Sequence, residues 1–463
     1  MHERPPVAED AEPARPAAAD LAPPPLEIEG PASPTALRRL ALLAAVDIGP
    51  LRHHRDYRLL YIGRLISFFG SMITFVAVPY QAYALTHSSL VVGLFGVVQL
   101  VPLLLLAFLG GALADAVDRR RLVLVTELAL GALSGALLVN ALVPRPQLWV
   151  LYIVAALASG CDALQRPALD AILPRLVERD ELAAAGALNT LRGTFAMILG
   201  PAVAGLLIAG IGLSATFGVD VATFAVSLVM LGMMRAVPPP EDAERPSLRR
   251  IVEGLHYARS RPELMGTYLV DIVAMFFGMP IALFPALAAQ YARENRSIAA
   301  ATALGLLYTA PAVGAFLASA TSGWTRRVHR HGRAVILAAG AWGLAITGMG
   351  LAPGLVGALV FLTLAGGADA VSGLFRGVIW NQTIPDALRG RLASIELISY
   401  SSGPLLGDVE SGAVAAAFTP RVSVLSGGII CVLGVGALAL ALPQFRRYDA
   451  RHQQQLQDTP GAT

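Results

Sequence analysis

Charged side chains stand where this chain can least accommodate them. Arg64, Glu127, Asp162, Arg166, Asp170, Arg192, Asp220, Asp271, Asp369, Arg376, Glu396, Asp408 and Glu410 all interrupt long apolar stretches. An ionised group at the centre of a lipid-embedded helix costs roughly 2.5–3.5 kcal/mol on insertion scales. Such residues therefore face a cavity, a partner or an ion route. Asp162, Arg166 and Asp170 recur every four residues, so both acids can reach the arginine from one helix face. They read as a structural or gating ladder, with a proton site as the alternative. Asp369 and Arg376 stand seven residues apart, two turns along one face. Asp408 and Glu410 follow Gly403-Pro404 near the middle of their stretch. Carboxyls that lie close together and away from water hold protons more tightly. Asp369, Asp408 and Glu410 are thus the proton-coupling candidates. The alternative is neutralisation by Arg64, Arg192 or Arg376, which are themselves candidates to hold an anionic substrate.

The elements that would position these groups follow from composition. Of 463 residues, 55% are apolar and only 14% charged, with a mean hydropathy of +0.62; a soluble domain carries about 25% charged residues. That excludes a water-soluble enzyme, a nucleic-acid-binding domain and a disordered chain. Every basic residue is arginine, so no Schiff-base or phosphate-loop lysine exists. Cys161 and Cys431 lie in apolar stretches and read as free thiols, and all eight histidines lie outside those stretches. No HExxH or Cys/His cluster occurs, so neither metal nor cofactor is expected.

Apolar stretches recur at about 59–85, 90–114, 122–143, 147–173, 185–210, 214–236, 264–288, 301–323, 334–352, 355–384, 393–418 and 423–444. Most exceed the roughly 20 residues that cross a bilayer. A backbone inside lipid must satisfy its own hydrogen bonds, so they are read as helices. The fold class is all-α integral membrane, with twelve transmembrane helices in two pseudo-symmetric six-helix bundles. Arginine sets the orientation. Arg119–Arg121, Arg175, Arg179, Arg245, Arg249, Arg250, Arg259, Arg261, Arg326, Arg327, Arg330, Arg333, Arg389 and Arg391 all fall in the even-to-odd loops. Those loops and both termini are expected in the cytoplasm of a bacterium, with the protein in the inner membrane.

The domain reading is a disordered tail at 1–36, a cytoplasmic amphipathic segment at 37–58, a six-helix bundle at 59–236, a cytoplasmic loop at 237–263, a second bundle at 264–444 and a tail at 445–463. Gly111–Arg121 after the second stretch returns as Gly323–Arg333 after the eighth, and Gly200-Pro201 in the fifth returns as Gly403-Pro404 in the eleventh. Two matched halves around a midplane site is a transporter plan. The partners implied are a small-molecule substrate, protons and the lipid bilayer, with no nucleic acid. The oligomeric state is left open, with a monomer as the default.

The stretch Gly111-Ala-Leu-Ala-Asp115-Ala-Val-Asp118-Arg119-Arg120-Arg121 resembles the loop 2–3 signature of the major facilitator superfamily. It departs at Ala116 and Asp118, where a basic residue and a second glycine are usual. The Asp-Arg-Arg variant is similar to that of the siderophore-exporting branch. So are Arg58–Ser67, Leu85–Ser89, Pro174–Leu182 and Pro385–Arg391, and the likeness covers about residues 48–445. The resemblance implies that Asp115, with Arg119, Arg120 and Arg121, latches an inner gate against the start of the eleventh helix; ordinary anchoring of the arginines is the alternative. Gly200-Pro201-Ala-Val-Ala-Gly205 resembles the antiporter motif of the fifth helix, with Ala204 replacing a glycine. It implies export driven by a proton gradient, of a siderophore-like molecule or, alternatively, of lipophilic drugs. Helices one, four, seven and ten would surround the cavity, with Phe68, Phe69, Phe75, Tyr80, Tyr83 and Trp380 as aromatic walls. Glu127 and Asp220 would stand on outlying helices near the interfaces. A membrane enzyme or non-transporting receptor is the remote alternative.

Overall fold

Residues 47–238 and 256–449 are described by the computed structural model. The tail at 1–36, residues 37–46 of the segment at 37–58, the middle of the loop at 237–263 and the tail beyond 449 lie outside the described residues. A short helix α1 (Gly49–His53) leads into six long ones: α2 (Arg55–Thr86), α3 (Ser89–Ala116), α4 (Arg119–Leu142), α5 (Leu148–Leu176), α6 (Leu182–Ile211) and α7 (Leu213–Gly232). The second half contains α8 (Pro262–Gly278), α9 (Phe284–Glu294), α10 (Ala300–Ala320), α11 (His331–Leu351), α12 (Gly354–Thr383), α13 (Asp386–Ala417), α14 (Pro420–Ala441) and the short α15 (Pro443–Arg446). No strand occurs among the described residues.

Eleven helical segments among the described residues are long and apolar enough to cross a membrane, so the expected count of twelve is not reproduced by that measure. The segment outside the set is α13. It has the length, at 32 residues, but it carries Asp386, Arg389, Arg391, Glu396, Asp408 and Glu410. Leu105, Leu337, Val356 and Leu440 are between 66% and 76% exposed. Lipid is the solvent in which that exposure is favourable.

Helix ends follow local chemistry. The side chains of Ser88, Asp118 and Thr419 accept backbone N–H bonds from Val91, Arg121 and Val422, and so cap α3, α4 and α14. Asp118, a departure from the loop signature, is therefore a helix cap. The expected seventh helix is broken. Helix α8 stops at Gly278, a 3₁₀ turn spans Ile281–Leu283, and α9 begins at Phe284. Pro280 and Pro285 each remove a backbone donor there.

The pairings of the first half return in the second. Helix α2 packs on α6 and α7 as α8 packs on α13 and α14; α3 on α5 as α10 on α12; and α4 on α5 and α7 as α11 on α12 and α14. The halves meet through α3 with α13 and through α6 with α10. Both crossings use glycine near the arginine-poor ends of the helices. A Cβ on Gly412 would come within 2.7 Å of the Ser89 carbonyl oxygen, and one on Gly205 within 2.5 Å of that of Ala301. Side chains on Gly93, Gly96 and Gly305 would run into the backbone of Asp408, Leu405 and Pro201.

At the other end, Glu181 precedes α6. Its Oε1 lies 2.9 Å from His53 Nδ1 and its Oε2 lies 2.5 Å from His54 Nε2. The hydrogen bond from His53, and after it that from His54, hold this carboxyl below the ordinary range against partial desolvation. A depressed carboxylate stabilises the fold above its unfolded value, about 4.3, and that contribution is lost as pH falls through the folded value. Amide exchange across residues 49–54 is expected to accelerate as pH falls below about 4.3, and Glu181→Gln is expected to exchange fast at every pH. A variant as protected as the parent at neutral pH would contradict this.

Candidate functional site

The buried charges form one cluster in each half. On α5 the exposed apolar residues Trp149, Ile153 and Leu157 give way to exposed Asp162, Arg166 and Asp170. At 100° per residue the charged face lies well over 120° round the helix from the apolar one. The charged face looks toward the second half, where the Arg166 guanidinium lies 5.6 Å from the centroid of the Tyr400 ring on α13. Arg166 lies within electrostatic reach of both acids of the expected ladder. The three residues share a face, but no ion pair joins Arg166 to Asp162 or Asp170 among the described residues. The aromatic ring takes the cation instead.

In the first half, Arg64 Nη1 donates to Glu127 Oε2 at 2.7 Å. Gln165 Nε2 donates to the same oxygen at 3.0 Å, and Ser227 Oγ to Glu127 Oε1 at 2.5 Å. Glu127 is fully buried, and Asp220 is 1% exposed. The interfacial placing of both is therefore wrong. Their partners come from separate helices, so spacing along any one helix could not show them. The intramembrane Gln165 was the available signal.

In the second half, Arg376 on α12 forms an ion pair through Nη1 with Asp271 of α8, and its Nη2 lies 3.5 Å from Asp369. Asp271 is buried, whereas the Asp369 side chain is 42% exposed. The sequence spacing thus brought Asp369 and Arg376 together correctly, and Asp271 completes a triad. One turn further along α12, Trp380 Nε1 donates to Thr267 Oγ1 of α8 at 2.8 Å. Glu396 lies within electrostatic reach of Arg376, Arg166 and Asp271.

Of the three candidate cations, Arg64 and Arg376 are consumed by these pairs. Arg192 is half-buried on α6 and its Nε has no hydrogen-bond partner. No ion pair reaches it among the described residues. Arg64, Tyr61, Tyr57 and Glu127 lie within its electrostatic reach, and the Glu127 charge is already met by Arg64. Among the expected aromatic walls, Phe75 meets Tyr308 of the second half edge-on at 5.2 Å, and Phe69 lies 6.4 Å from Phe195.

The expected Asp408–Glu410 pair does not form. Residues two apart on a helix do not face each other. Asp408 Oδ1 instead accepts the Ala282 backbone N–H at 3.1 Å, in the break between α8 and α9. Gly111 and Asp115 lie in the last turns of α3. Arg119 donates to the Ala171 carbonyl oxygen at 3.2 Å, and Arg120 to those of Leu231 and Gly232 at 3.0 and 2.5 Å. These contacts tie α4 to α5 and to the C-terminal end of α7. The Arg121 backbone N–H is held by the Asp118 cap. Gly200 abuts Met72 of α2, while the Pro201 carbonyl and Gly205 face α10. The antiporter-like motif is thus a crossing point between halves.

A family whose members are described as transmembrane secretion effectors, a branch of the major facilitators, matches residues 45–462. The enterobactin exporter EntS of Shigella boydii serotype 4 (strain Sb227) is 30% identical over 405 residues, which is 87% of this chain and 95% of that one. EntS of Escherichia coli O1:K1 / APEC matches equally well. The chain belongs to the major facilitator superfamily. This transporter also shares its fold with solved structures. The nucleoside transporter NupG has a TM-score of 0.69 at 13% identity, covering 85% of this chain and 100% of that one. A bacterial homologue of the iron transporter ferroportin in an inward-facing state has a TM-score of 0.63 at 17% identity, covering 85% and 98%. This transporter is a multi-pass membrane protein and not an enzyme.

Proposed function

We propose that this transporter exports a siderophore-like organic anion from the bacterial cytoplasm, across the inner membrane, by proton-coupled alternating access. The observation that carries the reading is Arg192, a cation without an ion-pair partner that lies near Tyr57 and Tyr61. An anionic aromatic substrate supplies both what that guanidinium lacks and a ring for the half-buried Tyr61. The likeness to the enterobactin exporters supports the same substrate class. Asp369 is the acid placed to exchange protons, because it is accessible and shares Arg376 with a buried carboxylate. Protonating it leaves Arg376 paired to Asp271 alone. Asp408 and Glu410 are secondary candidates. The arginine-rich end faces the cytoplasm together with both termini, and Asp115 with Arg119–Arg121 latches that end when closed.

One observation favours a second reading. Asp162 and Asp170 are exposed on α5 and Asp369 is accessible, which suits a lipophilic cation as in multidrug efflux. The test is efflux from proteoliposomes loaded with a catecholate or with a lipophilic dye cation. Losing one charge-assisted contact costs about 1.5–3 kcal/mol, roughly 10–100-fold in apparent affinity. Arg192→Gln is expected to weaken catecholate efflux by that factor and to spare the dye. If Asp162→Asn instead abolishes dye efflux and Arg192→Gln changes nothing, the multidrug reading replaces the first.

A further inference from the structure

Asp220 is a second buried carboxylate of the first half, and unlike Glu127 it has no arginine. It stands on α7 and is 1% exposed. Thr74 Oγ1 of α2 donates to Asp220 Oδ2 at 2.5 Å, and Ser134 Oγ of α4 to the same oxygen at 2.7 Å. Thr223 Oγ1 lies 3.3 Å from Oδ1 and 2.7 Å from the Asp220 carbonyl oxygen. Gly70 of α2 leaves room for this arrangement. A Cβ there would stand 2.5 Å from Asp220 Oδ1 and would run into Thr223 Oγ1. No ion pair reaches Asp220 among the described residues. The charged group acting on it is Glu127 of α4, whose own charge Arg64 offsets.

An ionised carboxylate in an apolar interior is costly without a compensating positive charge. Three hydroxyls offer partial charge only. The donors are all hard oxygen atoms, drawn from three helices, and they carry one formal negative charge. That set matches a small monovalent cation and falls short of the several carboxylates or waters that divalent ions take. We propose that Asp220, Thr74, Ser134 and Thr223 bind a monovalent cation, a proton or a sodium ion, inside the first half. The site lies apart from the Asp271–Arg376–Asp369 triad and does not depend on what the protein exports. Because it joins α2, α4 and α7, its occupancy sets how rigidly these helices hold together.

The test needs no substrate. Thermal unfolding of the purified full-length protein in detergent is followed in sodium against choline chloride at constant ionic strength, and separately across a pH series in choline. A ligand that binds only the folded state raises Tm with its concentration. The parent is expected to show a saturable rise with sodium or with acidification, which names the ion, and Asp220→Asn is expected to lose it. Ser134→Ala keeps the carboxylate and is expected to move the midpoint of the response about tenfold in cation concentration, as one lost contact of about 1–1.5 kcal/mol implies. A response that is absent in the parent, or equal in the parent and Asp220→Asn, overturns the proposal. Should Asp220→Asn fail to fold, an unmoved midpoint in Ser134→Ala overturns it instead.

Discussion

Arg376→Ala is expected to destabilise this transporter by about 3–5 kcal/mol, the cost of breaking a buried ion pair from one side. The loss strands two acids at once. Asp271 is buried against α12, and Asp369 shares the same guanidinium. With no cation beside it, Asp271 must carry an unpaired charge in the bilayer interior or take up a proton. The measurement is thermal unfolding in detergent, with yield from membranes as a second readout. A double variant, Arg376→Gln with Asp271→Asn, is expected to recover most of the loss, because it removes the stranded charge of the buried acid and leaves only Asp369, whose side chain is accessible. A single variant as stable as the parent would show that Arg376 does not neutralise these acids.

Gly96→Leu is expected to leave the fold of each half intact and to slow transport sharply. Gly96 lies where α3 crosses α13, and any side chain there meets the Leu405 carbonyl oxygen. Overpacking a close contact costs about 1–3 kcal/mol. Here the cost falls on the state in which the halves touch at the arginine-poor end, so it biases the equilibrium between states by about 5–150-fold. Efflux is expected to fall by a similar factor at unchanged expression. Gly305→Leu, at the crossing of α6 with α10, is expected to act alike, because its side chain would meet Pro201. Gly135→Leu is the control, since nothing stands within 4 Å of a Cβ there. Normal efflux by Gly96→Leu would mean that this crossing opens and closes without close backbone contact.

Most of the architecture was legible because lipid leaves the chain little choice. An apolar stretch of twenty residues becomes a helix, whatever its neighbours. Where composition departs from that rule, reading fails in explicable ways. Helix α13 forms despite its six ionisable side chains, because Asp408 and Glu396 face protein groups and not lipid. The α8–α9 break was signalled by Pro280 and Pro285 but reads as a continuous apolar run. Single-helix spacing found Asp369 beside Arg376 and placed Asp162, Arg166 and Asp170 on one face. It could not reveal that Tyr400 takes Arg166, or that Gln165 and Ser227 converge on Glu127. Those contacts join different helices, and only packing decides them.

The proposed alternating access requires the two halves to rock about the glycine crossings of α3 with α13 and α6 with α10. Paired spin labels test it most directly. On a background lacking Cys161 and Cys431, one pair is placed at Ala215 and Ser297, at the arginine-poor end, and another at Glu178 and Arg326, at the arginine-rich end. Imposing a proton gradient with substrate is expected to lengthen the first distance while shortening the second. Two distances that stay fixed, or that change together in the same direction, would contradict the account.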